Sequence, residues 1–215
     1  TGLSIGDLKA AHQYAMVLDR FYVSAVGDVT AEEVTDVIEN LMAGFPNTSK
    51  RPLPKQASLG LTQGVQVIDY PTPQSVALFG HEGIDRDHPD FFAAYILNQI
   101  FGGNGFASRL MREIREKRGL SYGINSYLAS RDYADVYIGQ FSSANDSIAE
   151  ALDVLRDEWT KISRDGITQK ELDDAKTYLT GAYPLLFDGN AQIARILVGM
   201  QMQGLEPNYI TRRTD

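Results

Sequence analysis

The run YGINSYLASRDYADVYIGQFSSANDSIAEALDVLRDEWTKI, Tyr122 to Ile162, decides the fold. Its first part holds two stretches of β-formers, Tyr122 to Leu128 and Ala134 to Phe141, and these predict two strands. Its second part changes period. Ile148, Leu152, Leu155, Trp159 and Ile162 step by four, three, four and three residues, which predicts a helix with one apolar stripe. A stripe of this kind is stable only when packed on another element.

Working outward, the same alternation of clusters recurs. Upstream, VQVIDY (65–70) and SVALFG (75–80) flank Pro71-Thr72-Pro73 and predict a strand pair. A helix is expected to start at Pro89 and run through FFAAYILNQIF, apolar on most faces and therefore buried. After a glycine-rich break comes a basic helix, Ala107 to Arg118, closed by Gly119 in a C-cap position. Downstream, Thr168-Gln-Lys-Glu171 has capping-box spacing before Leu172, Ala175 and Leu179, and Pro184 and Gly189 interrupt the chain before a helix at Ala191 to Met202. Strands and helices in clusters, rather than in strict alternation, indicate an α+β layer with helices on one face of a sheet.

The first fifty residues predict helix (4–18), strand (FYVSAVG, 21–27) and helix, the last announced by the capping box Thr30-Ala-Glu-Glu33 and by Val34, Val37, Ile38 and Leu41. From Pro46 to Gly64 the chain turns polar and carries Pro46, Pro52, Pro54 and Gly60, which reads as a linker. The expected division is 1–50 as the end of a preceding half-domain, 51–64 as linker and 65–215 as a second half-domain. The start at Thr1 and the stop just after a helical pattern read as a fragment whose last half-domain is cut short.

The formal net charge of −8 over 215 residues argues against a general nucleic-acid or anionic-membrane binder. No run is long and apolar enough to span a bilayer. The absence of cysteine excludes disulfides and thiolate chemistry, and fits an oxidising compartment as well as the cytosol. HEGIDRDH (His81 to His88) tempts as a metal site, but its two histidines stand seven apart around Gly83, and a polar turn before the Pro89 helix is the better reading. His12 reads as structural or exposed. GGNG lacks the third glycine of a dinucleotide loop, Ser108 standing in its place, and no G-x-S-x-G is present.

One stretch resists a bland reading. GGNGFASRLMREIREKRGLSY, Gly102 to Tyr122, gathers Arg109, Arg112, Arg115, Lys117 and Arg118. Arg112 with Glu116, and Glu113 with Lys117, are spaced as ion pairs on a solvent face. Arg115 and Tyr122 differ, because Gly119 reverses the chain between them. Arg115 lies about 6 Å back along the helix and Tyr122 about 10 Å forward along the next strand, so two long side chains can converge over the turn. A guanidinium beside a phenol can hold a peptide carbonyl and stabilise an oxyanion, but neither group activates water.

At these residues the chain resembles the pitrilysin family of inverted-motif zinc metallopeptidases. The resemblance rests on GGNGFASRL and IREKRGLSY, and extends to ALFGHEGIDRDHPDFFAAYILNQIFGG and VGDVTAEEV. It implies a two-layer α/β sandwich with a mostly antiparallel sheet. No H-x-x-E-H occurs, so the likeness is to the zinc-free C-terminal half. It implies that Arg115 and Tyr122 are catalytic and substrate-binding, that Gly102, Gly103 and Gly105 shape the cleft, and that this chain binds no metal or cofactor of its own. Zinc and the general base are then expected in an HxxEH-bearing partner half or subunit, as a homo- or heterodimer acting on a peptide, with no nucleic acid and no membrane span. The bacterial periplasm is the compartment the resemblance favours. The competing expectations are a non-catalytic scaffold or peptide-binding module of the same fold, and an anion or nucleic-acid patch on the basic helix.

Overall fold

The computed structural model describes residues 2–103, 105 and 107–213. In chain order the elements are α1 (Ile5–Ala15), α2 (Ala31–Met42), β1 (Gln74–Glu82), α3 (Phe91–Phe101), a π-helix (Met111–Glu116), β2 (Ile124–Ala129), β3 (Val136–Ala144), α4 (Ile148–Asp165), α5 (Gln169–Ala182), α6 (Asn190–Met202) and α7 (Tyr209–Arg212). Contacts divide the chain into two units: Pro54–Tyr178, and the residues up to Leu53 together with those from Leu179.

In the unit Pro54–Tyr178 the strands form one antiparallel sheet in the order β1-β3-β2. The period of two sets its faces: Tyr137, Gly139, Phe141 and Ser143 of β3 are buried, while Gln140 and Ser142 are exposed. Helices cover the buried face. Phe101, Leu110, Met111, Ile114, Ile124, Tyr137, Phe141, Ala151 and Leu155 make the core, and Ile148, Leu152, Trp159 and Ile162 of α4 pack against it. The apolar stripe read from the sequence is therefore the seam between the two layers, and the α+β sandwich with helices on one sheet face is what forms. On the other face Val76 and Leu78 are exposed.

The end of α3 docks on β2 through a buried polar network. Asn98 Nδ2 donates to the Ser126 carbonyl at 3.1 Å, Ser126 Oγ donates to Asn98 Oδ1 at 2.8 Å, and the Tyr137 hydroxyl donates to Ser126 Oγ at 2.6 Å. Burial pushes the Tyr137 phenol up to about 12, so it stays a donor. Gly102 makes this approach possible. Its carbonyl accepts the Ser126 N–H at 2.7 Å, and a Cβ there would overlap Ser126 Oγ. α3 itself begins two residues later than expected, at Phe91, because Pro89 lies in the preceding turn; Phe92 and Leu97 are exposed, so its burial is one-sided.

In the second unit the expected capping box of α2 is complete. Glu33 donates its N–H to Thr30 Oγ1 at 3.2 Å and accepts from the Thr30 N–H at 2.8 Å. The strand expected over 21–27 does not form. Ser24 Oγ instead donates to the Ala194 carbonyl of α6 at 2.6 Å, and Gln201 Nε2 donates to the Val23 carbonyl at 2.9 Å. A strand needs a ladder partner, and among the described residues this unit is helical.

The strand expected over 65–70 is also absent. Val65, Val67, Ile68 and Tyr70 are exposed, and the segment borders a cleft instead of pairing with β1. Pro71 and Pro73, without N–H groups, donate nothing that could start a ladder beside Gln74.

Candidate functional site

The basic segment is wound more loosely than expected. Helical residues begin at Arg109, but Met111–Glu116 forms a π-helix in which the Lys117 N–H reaches back five residues to the Arg112 carbonyl at 3.0 Å. Its end is widened to match. Gly119 takes φ +64°, its N–H donates to the Arg115 carbonyl at 2.9 Å, and the Leu120 N–H donates to the Ile114 carbonyl at 2.9 Å. Each bond spans one residue more than in a Schellman cap, as a π-turn requires.

The winding changes the ion pairs. Glu113 takes both Lys117 at 2.7 Å and Arg118 at 2.9 Å, and Arg112 sits 3.7 Å from the same carboxylate rather than on Glu116. In an α-helix the fifth residue along would point away; here Arg118 reaches. Burial pushes the Glu113 carboxyl up, but the hydrogen bonds from Lys117 and Arg118 outweigh it and hold it down to about 2. Arg109 belongs to a different pair. Its Nε and Nη2 bind the two oxygens of Glu171 at 2.7 and 2.8 Å, and Nη2 also reaches the Gly166 carbonyl at 3.1 Å. The Arg109 guanidinium, helped by the capping Thr168, lowers the Glu171 carboxyl to about 2. The capping box at Thr168 was legible in sequence. Its second task, clamping the start of the basic segment from sixty-two positions away, was not.

Arg115 stands on the last turn of the π-helix, half-buried. Tyr122 stands on the turn entering β2 with its side chain 90% exposed. The turn beneath it is held by side-chain hydrogen bonds. Ser121 Oγ lies 2.7 Å from the Ser142 carbonyl and accepts the Gly123 N–H at 3.2 Å, and Ser143 Oγ donates to the Leu120 carbonyl at 2.6 Å. Leu120, Ser121 and Gly123 are thus fastened to β3 or to each other, while the phenol points into solvent. Backbone bonding joins the two candidates: the Gly119 turn that hangs from the Arg115 carbonyl leads directly to Tyr122.

The candidate glycines take separate places. Gly102 and Gly103 are buried against their own domain, Gly102 on Ser126 and Gly103 on Gln99, where a Cβ would stand 2.6 Å from the Gln99 Cα. Gly105 is exposed at φ +111°, a conformation that favours glycine. Asn104 and Phe106 of the same motif lie outside the described residues.

The histidines do not make a metal centre. His81 stacks on Tyr137 with centroids 4.9 Å apart and meets Trp159 edge-on at 5.5 Å. His88 Nδ1 accepts the Asp90 N–H at 3.1 Å, and its carbonyl takes the Phe91 N–H at 2.9 Å, which is the turn before α3. His12 is exposed beside Phe45. Among the described residues no three His, Asp or Glu side chains are grouped to hold an ion, so the donor set does not fit zinc.

Fold and site together define a helix-covered antiparallel α/β layer carrying an Arg–turn–Tyr unit, with no grouped set of metal donors among the described residues. The chain belongs to the family described as peptidase M16 inactive domain, which matches residues 2–179. It is similar to an uncharacterized zinc protease of Bacillus subtilis, 24% identical over 181 residues, or 82% of this chain and 42% of that protein. It is also similar to a non-peptidase homolog of Helicobacter pylori, 26% identical over 85% of this chain and 42% of the relative. Among solved structures, a peptidase M16 inactive domain from Pseudomonas fluorescens is 29% identical, with a TM-score of 0.79 over 99% of this chain and 51% of the other. A periplasmic protease of Escherichia coli shares the fold at 19% identity and a TM-score of 0.57, over 88% of this chain and 21% of the other. The chain therefore spans less than half the length of these curated relatives. No helix among the described residues is long and apolar enough to cross a membrane.

Proposed function

We propose that this chain is the substrate-binding, zinc-free half of a zinc metalloendopeptidase, with zinc and general base in a partner half or subunit bearing H-x-x-E-H. The observation that carries the reading is Tyr122. A tyrosine 90% exposed on a turn bonded at Leu120, Ser121 and Gly123 is positioned without being used in packing. In this role the phenol donates to a substrate carbonyl oxygen as negative charge develops on it, and the Arg115 guanidinium supplies a second donor and a fixed positive charge. Of the motif glycines, the exposed Gly105 is assigned to the edge of the substrate cleft, and Gly102 and Gly103 are buried within their own unit. Residues 1–50 form the end of the zinc-bearing half and 51–64 the link to this one, whether in one polypeptide or a dimer. The periplasm is the compartment proposed, in line with one fold neighbour.

The test is peptide cleavage by the complete enzyme. Tyr122→Phe and Arg115→Ala should each cut turnover by about two to three decades. Tyr122→Phe should leave the urea midpoint unchanged, because the residue is 90% exposed. Cleavage at the wild-type rate by both variants refutes the role. The second reading, a peptide-binding scaffold without catalysis, draws on the relative described as a non-peptidase homolog. It requires that a full-length assembly bind peptide and cleave none.

A further inference from the structure

The carbonyls toward the end of the π-helix are not all closed in the same way. The Arg112 carbonyl takes the Lys117 N–H at 3.0 Å, the Ile114 carbonyl takes the Leu120 N–H at 2.9 Å, and the Arg115 carbonyl takes the Gly119 N–H at 2.9 Å. The Glu113 carbonyl, between them in sequence, is met by a side chain: Arg118 Nη1 donates to it at 2.8 Å. The same nitrogen donates to the Glu113 carboxylate at 2.9 Å, while Lys117 Nζ holds the other carboxylate oxygen at 2.7 Å. A basic side chain bonded to one of the last carbonyls of a helix acts as a C-cap.

Winding makes this cap possible. In an α-helix the fifth residue along is turned about 140° away, so the reach of Arg118 back to Glu113 depends on the π-turn that it closes. The consequence lies one residue further on. Arg118 stands directly before Gly119, whose φ of +64° turns the chain toward Leu120 and Tyr122. On the sheet side the turn is fastened by Ser143 Oγ, which donates to the Leu120 carbonyl at 2.6 Å, and by Ser121 Oγ, 2.7 Å from the Ser142 carbonyl. On the helix side, Arg118 pins the point from which the turn starts.

We infer that Arg118 is a positioning residue: its guanidinium closes the π-turn and so sets where Arg115 stands relative to Tyr122. This rests on the role proposed above for that pair, and Arg118 acts through Arg115 rather than on the substrate. Its side chain is 38% exposed, and an ion pair at such a site adds little to stability. Its effect is geometric. A displacement of about 1 Å at a reacting group can cost about a hundredfold in rate.

The test uses Arg118→Met, which keeps the apolar stem and removes both bonds. In the full chain the Gly119 and Leu120 amides should exchange about tenfold faster or more, with the urea midpoint within about 0.3 M of the parent. In the complete enzyme, with a fluorescence-quenched peptide that the parent cleaves, kcat should fall about tenfold and KM stay within about twofold. In an Arg115→Ala background the substitution should cost nothing further, because the two residues act as one unit. Unchanged exchange at Gly119 and Leu120 overturns the inference. So does an unchanged kcat, a loss that persists undiminished beside Arg115→Ala, or a rise in KM that high salt abolishes, which would make Arg118 a charge acting on the substrate. Parent-rate cleavage by Arg115→Ala and Tyr122→Phe refutes the role of the pair instead, and amide exchange alone then decides whether Arg118 closes the turn.

Discussion

Replacing Gly102 by alanine tests whether the glycine-rich break owes its composition to packing. The new Cβ would overlap Ser126 Oγ, lie 3.0 Å from Leu110 Cδ1 and 3.2 Å from Ser126 Cβ. Leu110 is fully buried, so it has nowhere to go. Ser126 cannot turn aside freely either, because its hydroxyl donates to Asn98 Oδ1 at 2.8 Å and accepts from Tyr137 at 2.6 Å. Overpacking of this kind costs about 1–3 kcal/mol, and leaving a buried hydrogen-bonding group unmatched adds about 1–3 kcal/mol. We expect about 3 kcal/mol in all, which at a urea m-value of about 2 kcal/mol/M lowers the midpoint by about 1.5 M. Trp159, the only tryptophan, reports this layer, since it meets Phe101 at 5.3 Å and Tyr137 at 5.6 Å. Gly102→Ala/Ser126→Gly removes the obstruction and should regain part of the loss. A midpoint shift below about 0.3 M for the single variant would refute the packing argument.

Two further outcomes follow from the half-buried carboxylates and the buried Tyr137 hydroxyl. Glu113 and Glu171 are both held at about 2 in the fold against an ordinary 4.5, so their stabilisation is complete above about 4.5 and is lost as pH falls from there toward 2. Urea midpoints should drop over that window, and Glu171→Gln should lower stability by about 2 kcal/mol at pH 7 while flattening the acid dependence; an unchanged pH profile in that variant contradicts the Arg109 clamp. Tyr137→Phe deletes the donor to Ser126 but keeps the ring stack, so it should cost about 1–2 kcal/mol by urea titration with unaltered Trp159 emission. A cost near zero would mean that the network is not stabilising.

The relation between sequence and structure varies by element. Capping boxes at Thr30 and Thr168 and the stripe of α4 were legible because each is written within a single helix and its cap. β1, β2 and β3 were legible within three residues at their ends. The strands expected at 21–27 and 65–70 did not form, because β-propensity describes a side chain's fit to a pleated surface and cannot supply the partner strand.

The amino-acid sequence by itself determined the α+β clustering, the Arg115–Gly119–Tyr122 spacing and the absence of H-x-x-E-H. All three are local properties of order and identity. Only the tertiary structure decided that the basic helix is π-wound, that Arg109 answers to Glu171 rather than to a helix neighbour, and that Gly102 is small because β2 passes beside it. It also showed that Tyr122 stands in solvent on a fastened turn. These depend on which distant atoms arrive at hydrogen-bonding or contact distance, and that information exists only once the layers have packed.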